Sequence, residues 1–142
     1  MTGTLYTAGY GNRRPEWFFA QLPESAVIVD VRRTAAGWSP QYSGKQLSAR
    51  FAGRYYHRPT LGNTSGSAEI WESPSPEWVD RELHYLAMAL KHGENVLLLC
   101  AEKDHGKCHR RFVAAAIAAR VDGLQVVHLL EEESEHNLHQ TM

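Results

Sequence analysis

Two runs of almost unbroken apolar residues, AVIVDV from Ala26 to Val31 and VLLL from Val96 to Leu99, constrain this chain more than any other feature. A strand with one wet face alternates apolar and polar residues. A run that does not alternate must be covered on both faces, which is the situation of parallel strands between two layers of helix. Helical stripes flank these runs. Val79, Leu83, Leu86 and Leu90 recur at the helical spacing, and Phe112, Val113, Ala116 and Ile117 form a second stripe after the second run. Strand and helix therefore alternate, and the expected fold is α/β: a three-layer, Rossmann-like arrangement with a mainly parallel sheet of about five strands flanked by helices.

The remaining elements fit between these. Leu5–Ala8 reads as a short strand that runs into Gly9 and Gly11, and Pro15 suits the first position of a helix whose buried face is Trp17, Phe18 and Leu22. A dinucleotide loop would place its third glycine where Arg14 stands, so the two glycines read as a tight strand-to-helix turn. Residues 34–44 are rich in turn formers and include Trp38, Tyr42 and Ser43; they read as an ordered loop. A short helix over Lys45–Phe51 and a weaker strand over Arg54–His57 follow, stopped by Pro59. Residues 60–75 form a long loop that reads equally as a lid or binding loop and as a mobile surface connection. Ser75 is placed to cap the helix that starts at Pro76 and ends at Gly93, and LQVVHLL, Leu124–Leu130, is the last strand. At 142 residues with 43% hydrophobic content, residues 1–130 fit one domain. Residues 131–142 form a polar, acidic tail expected to fray.

Charge narrows the partners. The net charge is −1, but residues 1–60 hold eight Lys/Arg against three Asp/Glu. A basic first half suits a phosphate-bearing small molecule or a local nucleic-acid contact, and the balanced total argues against a nonspecific nucleic-acid coat. Two cysteines in the chain suggest a reduced, cytoplasmic setting rather than a disulfide framework. No signal peptide and no membrane span are expected, because no run approaches the roughly 20 apolar residues that a span requires.

Ligands of open parallel sheets bind beyond the carboxyl ends of the strands. The expected strand ends carry Tyr10, Asn12 and Arg13; Asp30, Arg32 and Arg33; His57 and Arg58; and Cys100, Glu102, Lys103 and Asp104. A helix starting near Cys108 adds Lys107, His109, Arg110 and Arg111 at an end whose free N–H groups disfavour cations, which suits an anion held there or neutralisation by Glu102 and Asp104. Arg13, Arg32 and Arg110 can grip phosphate or carboxylate in bidentate fashion, with Lys103 as a point charge. Asp30 reads equally as a positioned base and as a neutralising partner for Arg13 or Arg32. Tyr10, Trp38 and Tyr42 can stack on a base or pack inside. Cys108 beside Lys107 and His109 has the surroundings of a reactive thiolate, although no C-x-x-C pair is present, and Cys100 at the end of a buried strand suits a small core residue. Cys100, His105, Cys108 and His109 match no standard zinc spacing, and the cations beside them oppose a dication, so neither a metal nor a cofactor is expected.

TAGYGNR from Thr7 to Arg13, Asp30-Val31-Arg32, Tyr42-Ser43-Gly44, Leu61-Gly62-Asn63, and CAEKD from Cys100 to Asp104 followed by Cys108-His109-Arg110 resemble, in this order, the domain-of-unknown-function 488 family. Where such proteins often carry proline after the aspartate, this chain has His105-Gly106. The resemblance implies a compact α/β domain with a site built from these motifs, and it adds Ser43 and Asn63 to the candidate residues. It implies no reaction. The expected function is an enzyme acting on a phosphate-bearing ligand, nucleotide or nucleic acid. In it Asp30, Glu102 or Cys108 takes part in chemistry, and Tyr10, Asn12, Arg13, Arg32, Tyr42, Ser43, Asn63, Lys103, Asp104, His109 and Arg110 contact the ligand. The alternatives are a noncatalytic binding module and a cysteine-based thiol or redox protein. An internal ion-pair network that stiffens the loops is the rival explanation for the charged cluster.

Overall fold

The apolar run at Val96 extends to Cys100 and forms β4 (Val96–Cys100), the middle strand of a five-stranded sheet, with all five residues buried. In this computed structural model the described residues are 1–35, 40–102, 106 and 108–130. The expectations for Trp38, Lys103, Asp104, His105, Lys107 and the 131–142 tail lie outside them. The other elements are β1 (Leu5–Gly9), α1 (Pro15–Ala20), β2 (Val27–Asp30), α2 (Gly44–Arg50), β3 (Tyr55–His57), α3 (Pro76–Lys91), α4 (Arg110–Ala118) and β5 (Val126–His128). The strand order is β3-β2-β4-β1-β5 and every pairing is parallel. Both neighbours of β4 are paired along its length, and helices cover both faces, so no residue of the run reaches water.

Side chains alternate between two cores. Leu97 and Leu99 join Ala8 and Ile28 under α1 and α2, with Phe18, Phe19, Leu22, Leu47 and Phe51. Val96, Leu98 and Cys100 join Leu5, Val29 and Val31 under α3 and α4, with Leu83, Leu86, Leu90, Val113 and Ile117. The result is the expected three-layer α/β sandwich. Among the described residues no helix is long and apolar enough to cross a membrane.

Three local expectations change. Trp17 is 41% exposed, and Phe19 takes its place inside. Phe18 sets the face of α1 that meets the sheet, and Leu22, just past the helix end, joins the same core. Phe19 lies one step round on the side of Tyr42 and Phe51, with ring centroids 5.4 and 5.6 Å away, and Trp17 lies one step the other way, in solvent. Ser75 sits at the start of α3, but its side chain makes no cap bond; its N–H donates instead to Ser73 Oγ at 2.9 Å. β5 is shorter than Leu124–Leu130 because only Leu5, Tyr6 and Thr7 face it across the ladder. Gly93, at φ 97°, ends α3 as expected, in a conformation that glycine adopts without strain.

Candidate functional site

Topology singles out the carboxyl edge around β4. Its neighbours β1 and β2 continue into helices on one face, α1 and α2, whereas β4 continues into α4 on the other. The connecting loops part at the end of β4, the arrangement in which open α/β sheets place ligands. The expected convergence of polar groups occurs at this edge, but in two separate clusters on opposite faces.

The first cluster is built on Asp30, the last residue of β2 and fully buried. Its carboxylate accepts from Arg32 backbone N–H at 3.2 Å, Arg32 Nε at 2.8 Å, Arg32 Nη2 at 2.6 Å and the Tyr55 hydroxyl at 2.5 Å. The third guanidinium nitrogen, Arg32 Nη1, donates to the Tyr10 hydroxyl at 2.9 Å. His57 Nε2 completes the group, 2.8 Å from the Arg32 carbonyl oxygen, to which it donates. Burial works against the Arg32 charge, but the hydrogen bonds and charge of Asp30, helped by Tyr10, outweigh it and hold the pKa above its usual value. Burial, then the bond to Asp30, likewise pushes the Tyr55 hydroxyl up. The side-on carboxylate–guanidinium pair is the strong bidentate kind, and it turns both partners inward. Of the two readings of Asp30, these bonds support the neutralising partner, and its partner is Arg32 rather than Arg13.

The second cluster forms where β4 ends and α4 begins. Cys100 and Cys108 pair sulfur to sulfur as a disulfide, with Cα atoms 7.5 Å apart. Their separation of eight positions matches no standard motif, so the sequence does not announce the pairing. His109 Nε2 lies 3.0 Å from the Val31 carbonyl oxygen and 2.8 Å from that of Leu61. Both are acceptors only, so Nε2 carries the proton, and Nδ1 presents its lone pair to Cys108 Sγ at 3.8 Å. Burial lowers the His109 pKa, with Arg110 adding to this and the two carbonyls opposing it. The Arg110 backbone N–H, in the first turn of α4, donates to Cys108 Sγ at 3.4 Å. A helix N-terminus and a donated N–H favour thiolate when the pair is reduced, whereas burial in the apolar core opposes it. The expectation of no metal rested on irregular spacing, yet one ligand atom from each of Cys100, Cys108 and His109 lies within 4.8 Å of the others.

Arg13, Tyr42, Ser43, Asn63 and Arg110 make contacts within the scaffold, whereas Asn12 and the Glu102 side chain are exposed. Arg13 Nε donates to the Gly9 carbonyl at 3.0 Å and Nη2 to that of Leu130 at 3.3 Å. Tyr42 is buried, stacks on Tyr10 with centroids 4.0 Å apart, and donates to the Arg13 carbonyl. Ser43 caps α2 by accepting from Gln46 N–H at 3.3 Å. Asn63 Oδ1 accepts from Ser65 and Glu72 N–H, and its amide donates to Ser67, so it braces the long loop from within. Asn12 is exposed in the left-handed region at φ 56°. Glu102 has an exposed side chain, and its carbonyl accepts from Arg110 Nη1 at 2.5 Å. Arg110 itself is fully buried. Its guanidinium and the Glu102 backbone lie against Gly9, where a Cβ would overlap the Glu102 carbonyl oxygen and sit 2.9 Å from Arg110 Nη1. The glycine is needed for close approach as much as for the turn.

Sequence reasoning missed Tyr55, the partnership of Cys100 with Cys108, and the role of the 60–75 loop. That loop is pinned to α4: the Leu61 carbonyl accepts from His109, and Arg111 donates to the Ala68 carbonyl at 2.9 Å with Glu69 at 3.7 Å. Alternation along β3 marks Tyr55 as facing the same side as His57. A cleft of about 600 Å³ between this loop and α3 is lined by Thr64, Trp71, Glu72, Ser73, Pro76 and Val79. It includes no member of either cluster, so volume and chemistry disagree here, and the clustered ligand and nucleophile atoms weigh more.

No curated protein and no solved structure matches the chain. The family model described as Domain of unknown function DUF488 matches residues 18–117, a span that includes both clusters apart from Tyr10. The chain belongs to the DUF488 family.

Proposed function

We propose that this protein is a cytoplasmic thiol-dependent enzyme whose working group is the Cys108 thiolate, with Cys100 as its resolving partner. The observation that carries this reading is the Cys108 sulfur itself: paired with Cys100, facing His109 Nδ1 and accepting the Arg110 N–H. The substrate class is a small disulfide compound, because both cysteines are almost wholly buried. The Cys108 thiolate attacks one sulfur of the substrate, whose S–S bond breaks. One half leaves as a thiolate and takes a proton from solvent, and a mixed disulfide forms on Cys108. The Cys100 thiolate then attacks Cys108 Sγ, expels the second half, and closes the internal disulfide. The substrate gains two electrons and the cysteine pair loses them.

The test uses the full chain, reduced and then mixed with oxidised glutathione. Wild type loses two hydrogens by intact mass with no lasting adduct. Cys100→Ser stops at the glutathione adduct, and Cys108→Ser forms neither product. A folded wild type that stays a dithiol under an excess of the oxidant refutes the proposal.

A second reading, an enzyme or binding module for a phosphate-bearing ligand such as a nucleotide, is favoured by one observation. Arg14 and Arg33 leave the ends of β1 and β2 with exposed side chains. A thermal-shift panel of phosphates and nucleotides with no stabilisation by any of them sinks it.

A further inference from the structure

Cys100, Cys108 and His109 also have the composition and the placement of a soft-metal site. Two sulfurs and one imidazole nitrogen lie within 4.8 Å of one another, all from buried residues. The imidazole is oriented for coordination: Nε2–H is anchored on the Val31 and Leu61 carbonyls, which leaves the lone pair of Nδ1 on the side of Cys108 Sγ, 3.8 Å away. Metal-bound histidines are typically held in this way, with the second ring nitrogen donating to a carbonyl or carboxylate. The backbone spacing fits as well. The two Cα atoms are 7.5 Å apart, beyond the roughly 4.4–6.8 Å of relaxed disulfides. Two thiolates bound to one tetrahedral zinc, at about 2.3 Å each, are held about 3.8 Å apart and suit a wider backbone spacing.

The charges are compatible. The sequence suggested that neighbouring cations would repel a dication; Arg111 has the Glu69 carboxylate 3.7 Å away, whereas the Arg110 charge, which is felt at His109, still opposes the ion. Two thiolates neutralise a divalent ion.

We infer that the reduced pair, together with His109, binds one soft divalent cation of the zinc class, and that oxidation of the pair to the disulfide expels it. This rests on the preceding reading only in taking the two cysteines to exchange between dithiol and disulfide. On binding, both thiols release their protons and two S–metal bonds form. On oxidation by a small disulfide compound, the two thiolates lose two electrons to that compound, the S–S bond forms, both S–metal bonds break, and the ion leaves with its charge unchanged.

The probe is Co²⁺, added without oxygen to the reduced full chain. The expected result is a sulfur-to-cobalt charge-transfer band with tetrahedral d–d absorption that saturates at one equivalent and disappears when Zn²⁺ displaces the cobalt. Cys100→Ser and Cys108→Ser lose the band, His109→Gln, which removes a ligand, weakens binding by at least the roughly 10- to 100-fold typical of losing an outer-shell partner, and Lys91→Ala, on α3, keeps wild-type binding. Oxidised glutathione abolishes the band in wild type. Absence of the band from folded, reduced wild type, or undiminished binding by folded Cys100→Ser, overturns the inference; if the variants do not fold, the wild-type titration alone decides. Cobalt binding without disulfide formation leaves the metal site standing and removes the thiol enzyme, and disulfide formation without cobalt binding does the reverse.

Discussion

Replacing Arg32 with methionine tests whether the first cluster is a structural ion pair. The substitution keeps most of the apolar stem and removes the guanidinium, whose Nε and Nη2 bonds to Asp30 measure 2.8 and 2.6 Å. Asp30 is fully buried, so its carboxylate is left with the Tyr55 hydroxyl and one backbone N–H as donors. Removing one partner of such a pair typically costs about 3–5 kcal/mol, because the remaining charge is buried without compensation. At roughly 3 °C per kcal/mol for a chain of this size, Tm falls by about 10–15 °C. Adding Asp30→Asn removes the stranded charge while keeping an oxygen for Tyr55. The double variant is therefore more stable than the two single costs predict, by about 2–3 kcal/mol. Urea unfolding in reductant measures all four proteins, with an unchanged m-value as the control that only stability has moved. A cost below about 1 kcal/mol for Arg32→Met, typical of an exposed side chain, refutes the reasoning, as do strictly additive single costs. Arg32 would then be free to serve a ligand.

Further substitutions and a pH series probe the same edge. Gly9→Ala drives a methyl group into the Glu102 carbonyl, and a loss of about 1–3 kcal/mol or more is expected in thermal melts; a wild-type Tm would show that the loop after β4 is not packed there. Ser43→Ala removes the cap of α2 and is expected to cost about 1 kcal/mol by urea unfolding, whereas Ser75→Ala, whose side chain makes no cap bond, is expected to change much less. Burial, aided by Tyr10, pushes the Tyr42 hydroxyl up from 10.0 to about 12. Below about pH 10 both folded and unfolded chains keep this proton, and between about 10 and 12 only the unfolded chain releases it. Stability therefore declines across that window, and a pH series of urea midpoints for wild type against Tyr42→Phe shows the variant declining less steeply.

Much of the fold was legible because burial leaves a local trace. VLLL at Val96 shows no alternation because β4 is covered on both faces and paired on both sides, and the stripe from Leu83 to Leu90 marks the inner side of α3. The carboxyl edge as the place for polar chemistry followed from the same logic, since strand direction alone locates it. What each polar residue does there was not legible. Tyr42, Ser43 and Asn63 belong to conspicuous motifs, yet in the fold they stack, cap and brace.

The sequence by itself determined the parallel sandwich, the spans of its main elements and the edge at which titratable groups gather, because these depend on periodicities of two and 3.6 residues within short windows. Tertiary structure alone decided the long-range partnerships: Tyr55 with Asp30, Arg32 with Tyr10, and His109 with the carbonyls of Val31 and Leu61. These depend on the order β3-β2-β4-β1-β5, which sets β4 against β2 and brings the start of α4 beside residues 48 and 78 positions away. No window of neighbouring residues contains that order.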